Sequence, residues 1–107
     1  MIVYNDHVQP SAPIPGMTRK VLAHGGGMMI VEVRFKAGTL VAEHAHPHEQ
    51  ASYVVSGRLV VTMDGKDATL GAGDSFYVPP NVPHAVRLLE DSIVTDTFTP
   101  QRQDFLS

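Results

Sequence analysis

The sequence of 107 residues contains no cysteine. This absence excludes disulfide bonds, and it leaves no thiolate to act as a metal ligand or a nucleophile. It does not indicate a compartment. The first ten residues, MIVYNDHVQP, show neither the basic segment nor the apolar segment of an export signal. We therefore expect a cytoplasmic protein.

Long apolar runs and an excess of basic charge are also missing. No apolar stretch approaches the ~18 residues of a membrane span, so we expect no membrane partner. Lysine and arginine number 8 against 11 aspartates and glutamates, and the net charge is -3. Such a charge provides no basic stripe and argues against nucleic acid as a partner. What remains is an ordinary globular composition, 43% hydrophobic, in a chain long enough for one domain.

Sequence patterns typical of strands recur along the chain, and patterns typical of helices are missing. Val31, Val33 and Phe35 alternate with charged side chains, which is typical of a strand with one buried face. Asp64-Gly65 is a strong signal for a two-residue hairpin turn. Because no segment keeps a helical period for three turns, the sequence predicts an all-β sandwich or barrel.

We interpret residues 1–107 as a single domain. The proline-rich segment 1–16 is expected to be an extended lead-in, suited to lie along a partner subunit, since proline interrupts strand pairing. The barrel is expected over residues 17–98. Residues 99–107, which begin next to Pro100, are expected to form a C-terminal tail.

Histidines are concentrated in the middle of the chain and suggest a metal site. His44 and His46 are two residues apart, a spacing that places both rings on one face of a strand. Gln50 follows, and His84 comes from a later segment. Three neutral imidazoles and one amide oxygen suit a divalent transition metal, either Zn, Ni, Fe, Mn or Cu.

Two neighbouring residues leave the ligand set open. His48 continues the alternation that begins at His44, although Pro47 makes its register uncertain. Glu49 would replace Gln50 as a ligand if the strand bulges at this point.

The residues around these histidines resemble the two motifs of the cupin superfamily. Residues 38–57, GTLVAEHAHPHEQASYVVSG, follow the spacing of the first motif, and residues 73–88, GDSFYVPPNVPHAVRL, follow that of the second. Gln50 stands where cupins most often have glutamate, and Asn81 stands where the second motif usually has glycine. The resemblance implies a cupin-type double-stranded β-helix, a jelly-roll barrel.

A wider similarity points to one group of cupins. The segments HPHEQ, YVPPNVPH and DTFTPQRQDFL resemble small cupins of the KdgF type, which are associated with pectin and alginate breakdown and usually carry glutamine as a ligand. The resemblance implies a metal-dependent homodimeric enzyme whose small acidic sugar substrates, 4,5-unsaturated monouronates, are converted to the linear keto form. The functional D-x-F-x-x-x-R pattern of that group falls on Asp96, Phe98 and Arg102.

The residues themselves allow further interpretations. Asp96 lies between apolar neighbours on one strand face, so it either points into a pocket or pairs with a buried partner such as Arg87 or Arg34. Arg102 is either a fork for a carboxylate or a surface arginine, and Phe98 is either a platform for the sugar ring or core. Two other functions stay open, a metal-dependent cupin dioxygenase and a non-catalytic cupin that binds a small acid or sugar.

Overall fold

Strands and tight turns account for most of the protein in the structure, a computed structural model that describes residues 1–106. The lead-in contains one 3-10 turn, Asn5–His7, and the tail ends in a short helix α1, Gln103–Leu106. The strands are β1 (Met17–Gly25), β2 (Met28–Phe35), β3 (Leu40–His44), β4 (Glu49–Ser56), β5 (Arg58–Met63), β6 (Lys66–Gly71), β7 (Ser75–Val78), β8 (His84–Leu88) and β9 (Ser92–Thr99).

The strands form two antiparallel sheets that pack face to face. One sheet has the order β1-β2-β9-β4-β7, and the other has the order β3-β8-β5-β6. Five buried side chains from both sheets meet in one core cluster and hold the sheets together by apolar burial. They are Val54, Leu59, Val61, Leu88 and Val94.

The inner face of β4 changes from apolar to polar along its length. Gln50, Ser52 and Val54 are buried, while the residues between them are exposed, as expected for a strand with one face towards the core. A buried amide and hydroxyl are tolerated only where hydrogen bonds or a ligand satisfy them. The Gln50 end of β4 therefore forms a polar end of the barrel interior.

Residues with positive φ fix several turns. Asp64 and Gly65 have φ values of 54° and 71°, which confirms the predicted two-residue hairpin between β5 and β6. Asn81 has a φ of 63°, and its N–H donates to the His46 carbonyl at 2.7 Å. Asparagine tolerates this conformation better than most residues, which explains how it can stand where the cupin motif usually has glycine.

The lead-in and the tail both fold back onto the barrel. Ser11 and Arg19 exchange two backbone hydrogen bonds of 2.9 and 2.8 Å, so the lead-in pairs with β1 of its own chain. In the tail, helix α1 brings the ring of Phe105 to 5.7 Å from that of Phe98. Within residues 1–106, no helix has the length and apolar character needed to cross a membrane. The expected homodimer stays a prediction.

Candidate metal centre and cavity

Three histidines converge between the two sheets. His44 ends β3 and pairs with His84 at the start of β8, and His46 follows shortly after β3. One ring nitrogen from each lies within 4.8 Å of the other two, a separation at which the three residues could hold a metal ion. His46 and His84 are buried, with 7% and 2% of their surface exposed, whereas His44 is exposed.

Backbone carbonyls orient all three rings. Because a carbonyl can only accept a hydrogen bond, each Nδ1 that contacts one carries the proton, and each Nε2 keeps a free lone pair. The Nε2 atoms are therefore the available ligand atoms. The three contacts are His44 Nδ1 to Ala42 O at 2.9 Å, His46 Nδ1 to His48 O at 3.1 Å and His84 Nδ1 to Val82 O at 2.9 Å.

Two features of the donor set fit a cation. Nε2 of His84 is buried and has no hydrogen-bond partner among the described residues. Nε2 of His46 lies 3.0 Å from Oε1 of Gln50, whose own amide nitrogen donates to Ser52 Oγ at 2.9 Å. With Nδ1 of His46 protonated, both atoms of the His46–Gln50 contact are acceptors. A cation would satisfy these lone pairs, so the three imidazoles and the amide oxygen fit a divalent metal ion.

The structure also places the two alternative ligands. The side chain of Glu49 lies on the outer face of β4 and accepts hydrogen bonds from Tyr77 Oη at 2.7 Å and Thr99 Oγ1 at 3.3 Å. The pairing of β4 is regular at this end, and its shift falls between Val54 and Ser56, so the alternative of a bulge that makes Glu49 a ligand is wrong. His48 is not part of the three-histidine group formed by the described residues.

Asp96 is connected to the candidate metal centre through Ser52. The two residues are paired across β4 and β9, and Ser52 Oγ donates to Asp96 Oδ1 at 2.6 Å. Since Gln50 donates to the same Ser52 hydroxyl, a continuous series of hydrogen bonds runs from Gln50 to Asp96. The sequence interpretation missed Ser52, although its position two residues after Gln50 puts both side chains on one strand face.

The alternative of a salt bridge for Asp96 is wrong. Among the described residues, Arg34 pairs with Glu32 at 3.2 Å, and Asp96 takes part in no ion pair. Arg87 lies exposed on β8. Asp96 is therefore a carboxyl that faces a cavity, held by a hydroxyl rather than by a cation.

Burial changes the pKa values of the site. Burial of the carboxyl raises the pKa of Asp96 to about 6, although the Ser52 hydrogen bond and the positive charge of Arg102 partly oppose this. Burial also lowers the pKa values of His46 and His84, because it disfavours the charged imidazolium. Both histidines thus keep the neutral form that a metal requires to a lower pH than an exposed histidine.

The raised pKa of Asp96 predicts a pH-dependent stability. The stability provided by the protonated carboxyl is complete below pH 3.8 and is lost as the pH rises through about 6. Asp96→Asn removes this loss. We expect the free energy of unfolding of the variant, relative to wild type, to be about 2 to 3 kcal/mol more favourable at pH 7.5 than at pH 4.

Urea unfolding of metal-free protein at the two pH values measures this difference. Any change in the Ser52 contact of the variant contributes at both values, so only the change with pH reports the ionisation of Asp96. Equal differences at pH 4 and pH 7.5 would show that the carboxyl is not desolvated.

Asp96 and part of the candidate metal centre line one cavity of about 710 Å³. A second cavity, of about 770 Å³, lies beneath the lead-in and contains none of the three histidines, so the smaller cavity is the candidate site. Its polar and aromatic lining includes Arg19, His44, Gln50, His84, Asp96, Phe98, Arg102 and Phe105.

Phe98 and Arg102 line this cavity but also make structural contacts. Phe98 is 3% exposed and belongs to a core cluster, so it serves as core and as part of the cavity wall. Cζ of Arg102 lies 5.1 Å from the centre of its ring. The fork of Arg102 binds Asp104, with Nε to Oδ1 at 3.1 Å and Nη2 to Oδ2 at 3.0 Å. The roles of both residues towards a substrate stay predictions.

The fold agrees with comparisons to known proteins. Residues 31–95 match the family described as Cupin domain. The pectin degradation protein KdgF of Dickeya dadantii (strain 3937) is 37% identical over 93 residues, which cover 85% of this chain and 84% of that protein.

Two solved structures share the whole architecture. KdgF from Halomonas sp. superposes with a TM-score of 0.93 and 36% identity, covering 98% of this chain and 99% of that one. An RmlC-like cupin from Shewanella frigidimarina has the same TM-score of 0.93 with 38% identity, covering 97% and 94% of the two chains. The predicted all-β cupin fold is therefore confirmed. The chain belongs to the cupin family, and within it is a small cupin protein closely related to KdgF.

Proposed function

We propose that this protein is a metal-dependent enzyme that opens the ring of 4,5-unsaturated monouronates, released by pectin or alginate breakdown, and yields their linear keto form. One observation carries the proposal: Asp96 shares a cavity with His44 and His84 of the three-histidine cluster and is linked to that cluster by Gln50 and Ser52. The similarity to a pectin degradation protein supports a uronate as the substrate.

The ligand set suits an acidic, hydroxylated substrate. A divalent metal bound by His44, His46, Gln50 and His84 would act as a Lewis acid that polarises a substrate oxygen. Gln50 contributes no negative charge, so such an ion would keep its full charge for that task. The same neutrality is less suited to stabilising a higher oxidation state, which disfavours the dioxygenase alternative.

Asp96 is the proposed proton-transfer group. Ring opening of the cyclic unsaturated uronate and its conversion to a ketone require a proton to leave a hydroxyl and another to reach carbon. A carboxyl with a pKa of about 6 can accept and donate protons near neutral pH. Ser52 holds Oδ1 of Asp96, which leaves Oδ2 for the substrate.

Arg102 is the proposed contact for the substrate carboxylate, and Phe98 is the proposed platform beneath the sugar ring. Two of the five N–H groups of Arg102 are bound to Asp104, and the others remain for an anion. We expect Arg102→Ala to raise KM about tenfold and to change kcat little, since it removes binding shared by substrate and transition state.

Steady-state kinetics on 4,5-unsaturated galacturonate measures this effect. Arg87→Ala is the matched control, because Arg87 is exposed on β8 and lines neither cavity. A fall in kcat at unchanged KM would contradict the binding role of Arg102.

The proposal as a whole is tested by the ultraviolet absorbance of 4,5-unsaturated galacturonate. Purified protein should accelerate its loss above the spontaneous rate, and a chelator should abolish that acceleration. A rate equal to the spontaneous one would overturn the proposal. Oxygen consumption with aromatic substrates would instead support the dioxygenase alternative.

A further inference from the structure

Arg19 places a second guanidinium in the cavity of the metal centre. It lies on β1, and its side chain is part of the same lining as Asp96 and Arg102. Its backbone is fixed on one side by two hydrogen bonds to Ser11 and on the other by pairing with Val33 of β2. A side chain that extends from such a doubly paired position starts from a rigid base.

The aromatic ring of Phe105 connects Arg19 to Arg102. Cζ of Arg19 lies 3.7 Å from the centre of this ring, and Cζ of Arg102 lies 4.2 Å from it. Both guanidinium groups therefore lie within cation–π distance of the same ring. The stack brings two positive charges together at the cavity.

The electrostatics of Arg19 reflect this arrangement. Burial is the main cause that lowers the pKa of Arg19, and the positive charge of Arg102 lowers it further. The negative charge of Asp104 acts in the opposite direction. Arg19 is thus a partly buried cation next to another cation. A bound anion would relieve this repulsion.

The two arginines differ in their partners. Asp104 occupies the fork of Arg102, whereas the guanidinium of Arg19 makes no ion pair and no hydrogen bond with any described residue. A guanidinium has five N–H donors, and leaving them without acceptors in a partly buried place is unfavourable. The charges of Arg19, Arg102 and Asp104 sum to +1.

We propose that Arg19 is a second anion-binding residue of the cavity, which contacts the carboxylate of the uronate alongside Arg102. The identity of this ligand rests on the proposed function. A planar guanidinium with free donors suits a planar carboxylate, which can accept two parallel hydrogen bonds. Arg19 therefore favours an acidic sugar over its neutral counterpart.

The test measures binding rather than turnover. D-Galacturonate and the neutral D-galactose are titrated into wild-type protein and into Arg19→Gln, Arg19→Lys and Arg87→Gln by calorimetry. We expect the affinity for D-galacturonate to fall about tenfold or more in Arg19→Gln, the loss of a charged hydrogen bond. The affinity of Arg19→Lys should fall less, since lysine keeps the charge but not the fork. The affinity of Arg87→Gln should equal that of wild type.

The titrations with D-galactose distinguish recognition of the carboxylate charge by Arg19 from a packing role of Arg19. If Arg19→Gln weakens the binding of D-galactose as much as that of D-galacturonate, Arg19 only supports Phe105, and the inference is overturned. Unchanged binding of D-galacturonate in Arg19→Gln, or no binding of it by wild-type protein, would also overturn the inference.

The two proposals can fail separately. If wild-type protein converts the unsaturated uronate and Arg19→Gln retains its D-galacturonate affinity, the proposed function stands without Arg19. If the affinity depends on Arg19 but no uronate is converted, the anion site stands and the proposed reaction fails.

Discussion

Replacing Asp96 with asparagine is expected to lower kcat for 4,5-unsaturated galacturonate by about 10²- to 10⁴-fold, the usual contribution of general acid–base catalysis. Asparagine has nearly the same shape and can keep a contact with Ser52, but it cannot take up or release the proton. Because Asp96 is not among the proposed ligands, the metal content of the variant should equal that of wild type. Steady-state kinetics and elemental analysis on the same preparation measure both quantities.

Asp64→Asn provides the matched control for this experiment. It removes one carboxylate from an exposed hairpin turn, and asparagine tolerates the positive φ of 54° found there. Its kinetics should match those of wild type. Full activity in Asp96→Asn would remove Asp96 from the mechanism, and loss of metal together with activity would show that it supports the metal centre instead.

The proposed function also explains why glutamine suits position 50. Oε1 of Gln50 faces Nε2 of His46, and the amide nitrogen donates to Ser52. A glutamate could provide the oxygen but could not donate to Ser52. Because Gln50 occupies an acceptor site of Ser52, the hydroxyl proton is left to bind Asp96. One neutral side chain thus serves the metal centre and orients the proposed proton-transfer group.

Local spacing was sufficient to predict much of the barrel and the grouping of the histidines. The alternation in β2, the Asp64-Gly65 turn and the His-x-His pair all depend on residues close in sequence. The direction of Glu49 could not be predicted, because one bulge would have exchanged it with Gln50, and only the pairing with neighbouring strands excludes that bulge.

Contacts between distant segments could not be predicted in the same way. Helix α1 has four residues, too few for a helical period to show. The stack of Arg19 on Phe105 joins the first strand to the last helix, and no local pattern relates them. The pairing of Asp104 with Arg102 was also missed, since a spacing of two residues in a tail predicts no particular contact.

Removing one imidazole should have the largest effect on metal binding. His44 is the suitable ligand to replace, because its exposed side chain can be truncated without leaving a cavity in the core. We expect His44→Ala to weaken binding of Zn²⁺ or Ni²⁺ by at least about 100-fold, since even changes in residues that orient ligands cost 10- to 100-fold. Uronate conversion should fall with metal content.

Thermal unfolding with and without added metal gives a readout independent of activity. At a free metal concentration of 100 times Kd, binding should stabilise the wild-type protein by about 2.7 kcal/mol. For a domain near this size, that stabilisation raises Tm by roughly 10 °C or more. His44→Ala should lose most of this increase, while His7→Ala, which alters a largely exposed histidine, should retain it. An unchanged metal-induced increase in His44→Ala would show that the ion binds elsewhere, and the cavity of Asp96 would then lack the Lewis acid on which the proposed reaction depends.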